Sequence, residues 1–213
     1  MCKPSKPVWV LVTLRYLAKG DFLSEVADIH GISRSSASRI IPRVCRSIIK
    51  NFPIRYPTDP QAMTDMKTKF YRIANFPNVI GCIDGVLIGI QTPYQYEASY
   101  VCRKGFHALN VQAIADAEMK FINVVIRWPG STHDSFILTN SNISNELERR
   151  NNGWLLGDSG YALKNWLMTP FMHPVNVQQQ RYNSAHARTR NIVERSFGVL
   201  KSRFRFVIFT CKW

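Results

Sequence analysis

An α/β fold around a mixed sheet, preceded by a small all-α region, is predicted for this chain of 213 residues. Three observations predict it. Apolar residues recur at helical intervals from Leu11 to Lys50, β-branched and aromatic runs take over from Val79, and helical patterns return only after three such runs. With 46% apolar residues the chain can bury the core of one ordinary domain, or of one domain plus a small module.

The first zone places Leu11, Leu14 and Leu17, then Phe22, Val26 and Ile29, at helical spacing. Within it, Ser24 to Ile41 reads as a helix-turn-helix: small Ala27 lets two helices cross closely, Gly31 takes the tight turn, and Ile32, Ala37 and Ile40 lock the second helix to the first. Ser33 caps that second helix, and Arg34, Ser35, Ser36, Ser38 and Arg39 fall near its exposed start, where such helices meet DNA. Pro42 lies inside the helix and predicts a kink. An ordinary helical hairpin with a solvated basic face is the alternative. Three prolines in "NFPIRYPTDP", and Pro77 in "NFPNV", divide the chain into a helix-turn-helix region at 1–55, a linker at 56–77 and a sheet-bearing domain at 78–213.

In that domain "VIGCIDGVLIGI", "HALNVQAIAD" and "FINVVIRW" read as three strands able to form a meander, the last two joined as a hairpin across Asp116 to Lys120. Asp134 to Arg150 has a helical pattern, "GWLLGD" is a short buried strand, and Ala185 to Phe204 puts Ile192, Val193, Phe197, Leu200 and Phe204 on one helical stripe.

The formal charge of +14, from 28 Lys and Arg against 14 Asp and Glu, argues for nucleic acid or an anionic surface as partner. Five scattered cysteines (Cys2, Cys45, Cys82, Cys102, Cys211) without CxxC or Cys/His spacing read as reduced thiols, not as a disulfide frame or a zinc site. The run from Val8 to Leu14 is too short to span a membrane, so a soluble protein is expected.

Against this basic background three acids stand out. Asp84 sits in an apolar run between Gly81 and Gly85, where an ionised side chain needs a partner; Asp158 follows the buried-looking "WLLG"; Glu194 lies beside the apolar stripe of the last helix. Each has a plainer reading: a turn-closing Asp for the first two, a solvated neighbour of Arg195 for the third. Together they fit another role, because carboxylates ending adjacent strands converge at a sheet edge, and packed carboxylates are best tolerated around a divalent cation.

The blocks "NVIGCIDGVLIGIQTP", "YVCRKGFHALNVQAIAD", "INVVIRWPGSTHDS", "WLLGDSGY" and "RNIVERSFGVLKSRFR" resemble, in this order, the nuclease domain of PIF/Harbinger-type DDE transposases and the Harbinger-transposase-derived nucleases. The resemblance runs from about Asn78 to Phe206 and extends to the helix-turn-helix from about Leu11 to Lys50. It implies an RNase H-like mixed sheet flanked by helices, with Asp84 on the first strand, Asp158 on the fourth and Glu194 on the following helix as catalytic, metal-holding acids. Asp134 in "GSTHDS" matches a further acidic position and is a fourth metal ligand or a helper; capping of the next helix by Ser131, Thr132 or Asp134 is its alternative, and His133 reads as more often structural. The family continues past this region and carries more N-terminal helix, so a C-terminally truncated polypeptide is expected from a chain ending at Trp213.

The function expected is metal-dependent DNA cleavage, with Mg²⁺ or Mn²⁺ as cofactor in a two-metal mechanism. DNA is the expected partner, held by Arg34, Ser35, Ser36 and Arg39 and by Arg188, Arg190, Arg195 and Lys201, with Arg181, Arg203, Arg205, Arg103 and Lys104 as further phosphate contacts. The alternatives are a non-catalytic DNA-binding protein domesticated from a transposase, and an RNase H-like ribonuclease. Resemblance further implies a Myb-like DNA-binding partner and nuclear residence, with the cytoplasm and a homo-oligomer left open.

Overall fold

The computed structural model describes residues 6–209, so Cys2, Cys211 and Trp213 lie outside the described residues. In chain order the elements are α1 (Lys6–Lys19), α2 (Leu23–Ile29), α3 (Arg34–Asn51), α4 (Pro60–Ala74), β1 (Val79–Gly89), α5 (Glu97–Tyr100), β2 (Ala108–Ala115), β3 (Phe121–Pro129), α6 (Asp134–Thr139), α7 (Asn142–Arg150), β4 (Trp154–Leu156), β5 (Leu167–Met168), α8 (Val177–Arg203) and α9 (Phe206–Phe209). They fall into two compact units. One holds the chain up to Pro53, Gly89–Gln91 and the segment from Val199 onward; the other holds Ile54–Ile88 and Thr92–Gly198.

The first unit is helical. Val12, Val26, Ala27, Ala37 and Ile41 form its buried centre, with Val8, Tyr16, Leu23, Ile32 and Cys45 packed around them. Between α2 and α3 the chain turns at Gly31, whose φ is +60°, and the Ile32 N–H reaches back to the Ala27 carbonyl at 3.0 Å. Ser33 caps α3 by accepting from the Ser36 N–H at 3.1 Å. Pro42 is accommodated within an 18-residue helix.

The second unit is a five-stranded mixed sheet in the order β3-β2-β1-β4-β5. β2 and β3 are antiparallel, while β1 with β4 and β4 with β5 run parallel. This strand order is the RNase H-like arrangement. The hairpin between β2 and β3 is closed by Asp116, whose Oδ1 accepts from the Glu118 and Lys120 N–H groups at 2.8 and 2.9 Å. Along β1 successive side chains alternate in direction. Cys82 faces α8, its thiol donating to the Thr189 carbonyl at 3.4 Å, so Asp84 shares that side; Gly85, on the opposite side, lies against Asp134 at the start of α6. Helices therefore cover both faces of the sheet. His186 of α8 is a buried core histidine: its Nε2–H donates to the Met168 carbonyl of β5 at 3.2 Å, and burial lowers its pKa.

Several elements differ from the sequence expectation. A 15-residue helix, α4, occupies the stretch that reads as a linker, because Asp59 and Pro60 start a helix there: Asp59 caps it by accepting from the Ala62 N–H, and Pro60 takes the first position, where no amide donor is needed. The single helix expected over 134–150 is two. Ser141 divides it, donating its hydroxyl to the Leu138 carbonyl and accepting from the Ser144 N–H. α8 starts eight residues before Ala185, at a cap in which Asn176 Oδ1 accepts from the Gln179 N–H at 2.8 Å.

Beyond its two chain neighbours, no heavy atom of the described residues lies within 4 Å of where a Cβ on Gly31 would stand, so Gly31→Ala isolates the conformational cost of the positive φ. Chemical denaturation should show a loss of about 1 kcal/mol, without loss of helix content by circular dichroism.

Candidate active site

Asp84 lies in the middle of β1, directly after five buried residues, and its side chain is only 20% exposed. Its Oδ1 accepts from the Gly85 N–H at 3.0 Å, and its Oδ2 lies 3.4 Å from Arg190 Nη1. Burial pushes its pKa up to about 6; Arg190 and the Gly85 N–H oppose that rise, and Asp158 and Asp134 add to it. Asp158 follows β4, the parallel neighbour of β1, and so leaves the sheet at the same end. Its Oδ1 accepts from the Gly160 N–H at 2.9 Å. The turn-closing reading of Asp158 is thus correct as geometry, and the turn leaves the carboxylate within electrostatic reach of Asp84 and Asp134.

Asp134 comes from the opposite face. Gly85 makes its approach possible: a Cβ there would stand 2.7 Å from the Asp134 Cγ. Asn110 Nδ2 donates to Asp134 Oδ1 at 2.7 Å and to the Thr132 carbonyl at 2.8 Å. Gln112 Nε2 donates to the Asp134 carbonyl at 2.9 Å and to Tyr161 Oη at 3.0 Å, and the Tyr161 N–H donates to the Asp158 carbonyl. Asp134 and the Asp158 loop are held by one buried polar relay. Desolvation raises the Asp134 pKa, partly countered by Asn110, and burial among the three aspartates drives the Tyr161 hydroxyl far above its ordinary value. The capping alternative does not hold, since the N-cap of α6 is His133 and its side chain makes no capping bond. Arg103 and His133 border the small cavity beside Asp134.

Glu194 stands on α8 with its side chain 49% exposed, one helical turn after Arg190, whose guanidinium pairs with it through Nη2. The same guanidinium meets Asp84 through Nη1, so a single cation joins an acid of β1 to an acid of α8. Arg190, expected to offer itself to DNA phosphates, has its side chain only 19% exposed and turned inward to the carboxylates. Arg188 and Arg195 on the same helix are exposed, Lys201 beyond them is half-buried, Arg34, Ser35 and Arg39 are exposed on α3, and Ser36 is tied to Ser33.

Sequence reasoning missed Asn110, Gln112, Tyr161 and the inward role of Arg190. Two signals were present. Asn110 and Gln112 are polar residues two apart in an otherwise apolar strand, which puts both on one face, and Arg190 precedes Glu194 by the four residues that make helical neighbours. Among the described residues, no group of three or more His, Cys, Asp or Glu side chains is arranged to hold a metal ion. Asp84 and Glu194 hold the guanidinium instead, and Asp134 is engaged by Asn110. The donor set of four carboxylates nonetheless fits a hard divalent cation in chemistry, and the raised pKa values of Asp84 and Asp134 mark a place where added positive charge is favourable.

A family model described as "DDE superfamily endonuclease" matches residues 83–211. The human "Putative nuclease HARBI1" is 36% identical over 200 residues, covering 92% of this chain and 57% of that protein. "Protein ALP1-like" of Arabidopsis thaliana is 30% identical over 216 residues, covering 93% and 53%. The chain thus spans little more than half the length of these relatives. Among solved structures, the "Mos1 transposase paired-end complex with left transposon end" aligns with all of this chain and 82% of that chain at 11% identity, with a TM-score of 0.26, too slight a likeness to carry an argument.

The elevated pKa of Asp84 has a definite sign in stability. Its proton is held more tightly folded than unfolded, so its contribution is full below about pH 4 and is lost as pH rises through about 6. Urea denaturation of metal-free protein should show Asp84→Asn gaining on the wild type across that window by on the order of 2 kcal/mol. Parallel pH profiles for the two proteins would refute this.

Proposed function

This chain belongs to the DDE superfamily endonuclease family, and on that premise we propose that it is a divalent-metal-dependent DNA endonuclease of transposase origin, cleaving phosphodiester bonds at Asp84, Asp134, Asp158 and Glu194. One observation carries the reading: acids far apart in the chain gather at one end of the sheet, within mutual electrostatic reach or on one shared guanidinium.

Asp84, Asp158 and Glu194, with Asp134 beside them, would hold Mg²⁺ or Mn²⁺, which when bound supplies activation of a water or 3′-OH and stabilisation of the leaving oxygen. The chain itself supplies position. Parallel pairing of β1 and β4 sets Asp84 and Asp158 at one end, and the Asn110 and Gln112 side chains fix Asp134 so that little reorganisation is left for the reaction. Arg188 and Arg195, exposed on α8, would take backbone phosphates, and Arg34 and Arg39 at the start of α3 would read or hold duplex DNA as part of a helix-turn-helix. Nuclear residence and a Myb-like DNA-binding partner extend this reading on family resemblance alone.

A second reading draws on Arg190. A guanidinium that neutralises two of the acids suits a DNA-binding protein that has given up catalysis. Incubation of supercoiled plasmid with Mn²⁺ separates the two: wild type should nick, and Asp158→Asn should lose the activity at least a hundredfold. Nicking that survives this substitution removes the site assignment, and absence of Mn²⁺-dependent nicking in the wild type favours the non-catalytic reading. Gly85→Ala should lower nicking more than tenfold through the displaced Asp134 carboxylate, while its melting temperature stays within about 3 °C, since only the end of one side chain must give way.

A further inference from the structure

We propose that Arg190 is a positioning residue that holds Asp84 and Glu194 together in the ion-free protein and yields to an incoming divalent cation, so that metal affinity is set by competition with this internal guanidinium. The inference rests on the reading of the four acids as a metal site and adds to it the residue that occupies the site's charge.

Arg190 is placed for this by both of its ends. On α8 it is one turn from Glu194, so the helix itself fixes that pair, whereas Asp84 arrives from the sheet. The two contacts are unequal. Nη2 hydrogen-bonds Glu194, while Nη1 is buried 3.4 Å from Asp84 without a hydrogen bond, which makes the Asp84 contact the one that opens first. An arginine keeps its charge throughout the working pH range, so it can relieve the site only by moving, never by losing a proton. While it stays, its charge offsets those of Asp84 and Glu194, and the same charge repels any second cation brought to their oxygens.

Removing the guanidinium should therefore weaken the ion-free protein and strengthen metal binding. With Mn²⁺ as the probe, followed by electron paramagnetic resonance of the free ion and by melting temperature, Arg190→Gln should melt about 3 °C lower without metal and bind Mn²⁺ about tenfold more tightly than wild type. Arg190→Lys, which keeps the charge but loses the two-armed fork, should fall between them; if the Gln variant does not fold, a Lys variant that binds Mn²⁺ more tightly than wild type supports the proposal, and one that does not overturns it. Unchanged or weaker Mn²⁺ binding by a folded Gln variant overturns the competition, yet the metal site stands provided that Asp158→Asn loosens Mn²⁺. Should wild type and Asp158→Asn bind Mn²⁺ alike, the metal reading fails and this proposal falls with it.

Discussion

Like charges gathered at one end of a sheet repel, and the structure around Asp84 is organised by the need to contain that repulsion. Every device used is local and specific. Arg190 spans Asp84 and Glu194, Asn110 engages Asp134, and backbone N–H groups of Gly85 and Gly160 meet Asp84 and Asp158. Even so the aspartates on β1 and α6 retain elevated pKa values, so the containment is incomplete. A core selected for stability alone would have filled these positions with apolar side chains, because replacing buried charges by well-packed hydrocarbon is often neutral or favourable. The retained acids are therefore better matched to the cleavage reaction proposed for them than to a role in stability.

The sheet was legible because its strands carry the β-branched runs that fit a pleated buried surface, and the β2–β3 hairpin because Asp116 to Lys120 has turn chemistry. What was lost in reading was lost for identifiable reasons. The prolines before Ala62 read as helix breakers, although Asp59-Pro60 is also how a helix begins. β5 has only two residues, too few for any periodicity, and the opening turns of α8 are polar, so its apolar stripe starts late.

The acids were legible as anomalies, ionisable residues where hydrophobic ones belong. Their surroundings were not. A count of basic residues sums charge and is blind to direction, so Arg190 passed for a phosphate contact beside Arg188 and Arg195, although its side chain turns inward while theirs remain exposed. Likewise Asp158 reads as a choice between turn and site, whereas the two do not exclude each other: one oxygen fastens the loop and its charge still reaches Asp84 and Asp134.

The Cys82 thiol of β1 is wholly buried and donates to the carbonyl of Thr189, the residue that precedes Arg190 on α8. Burial also raises its pKa, so it stays protonated and shielded from electrophiles as long as α8 remains seated on β1. Its rate of alkylation is consequently a built-in clock for detachment of that helix, the motion that would carry guanidinium and glutamate away from the strand together.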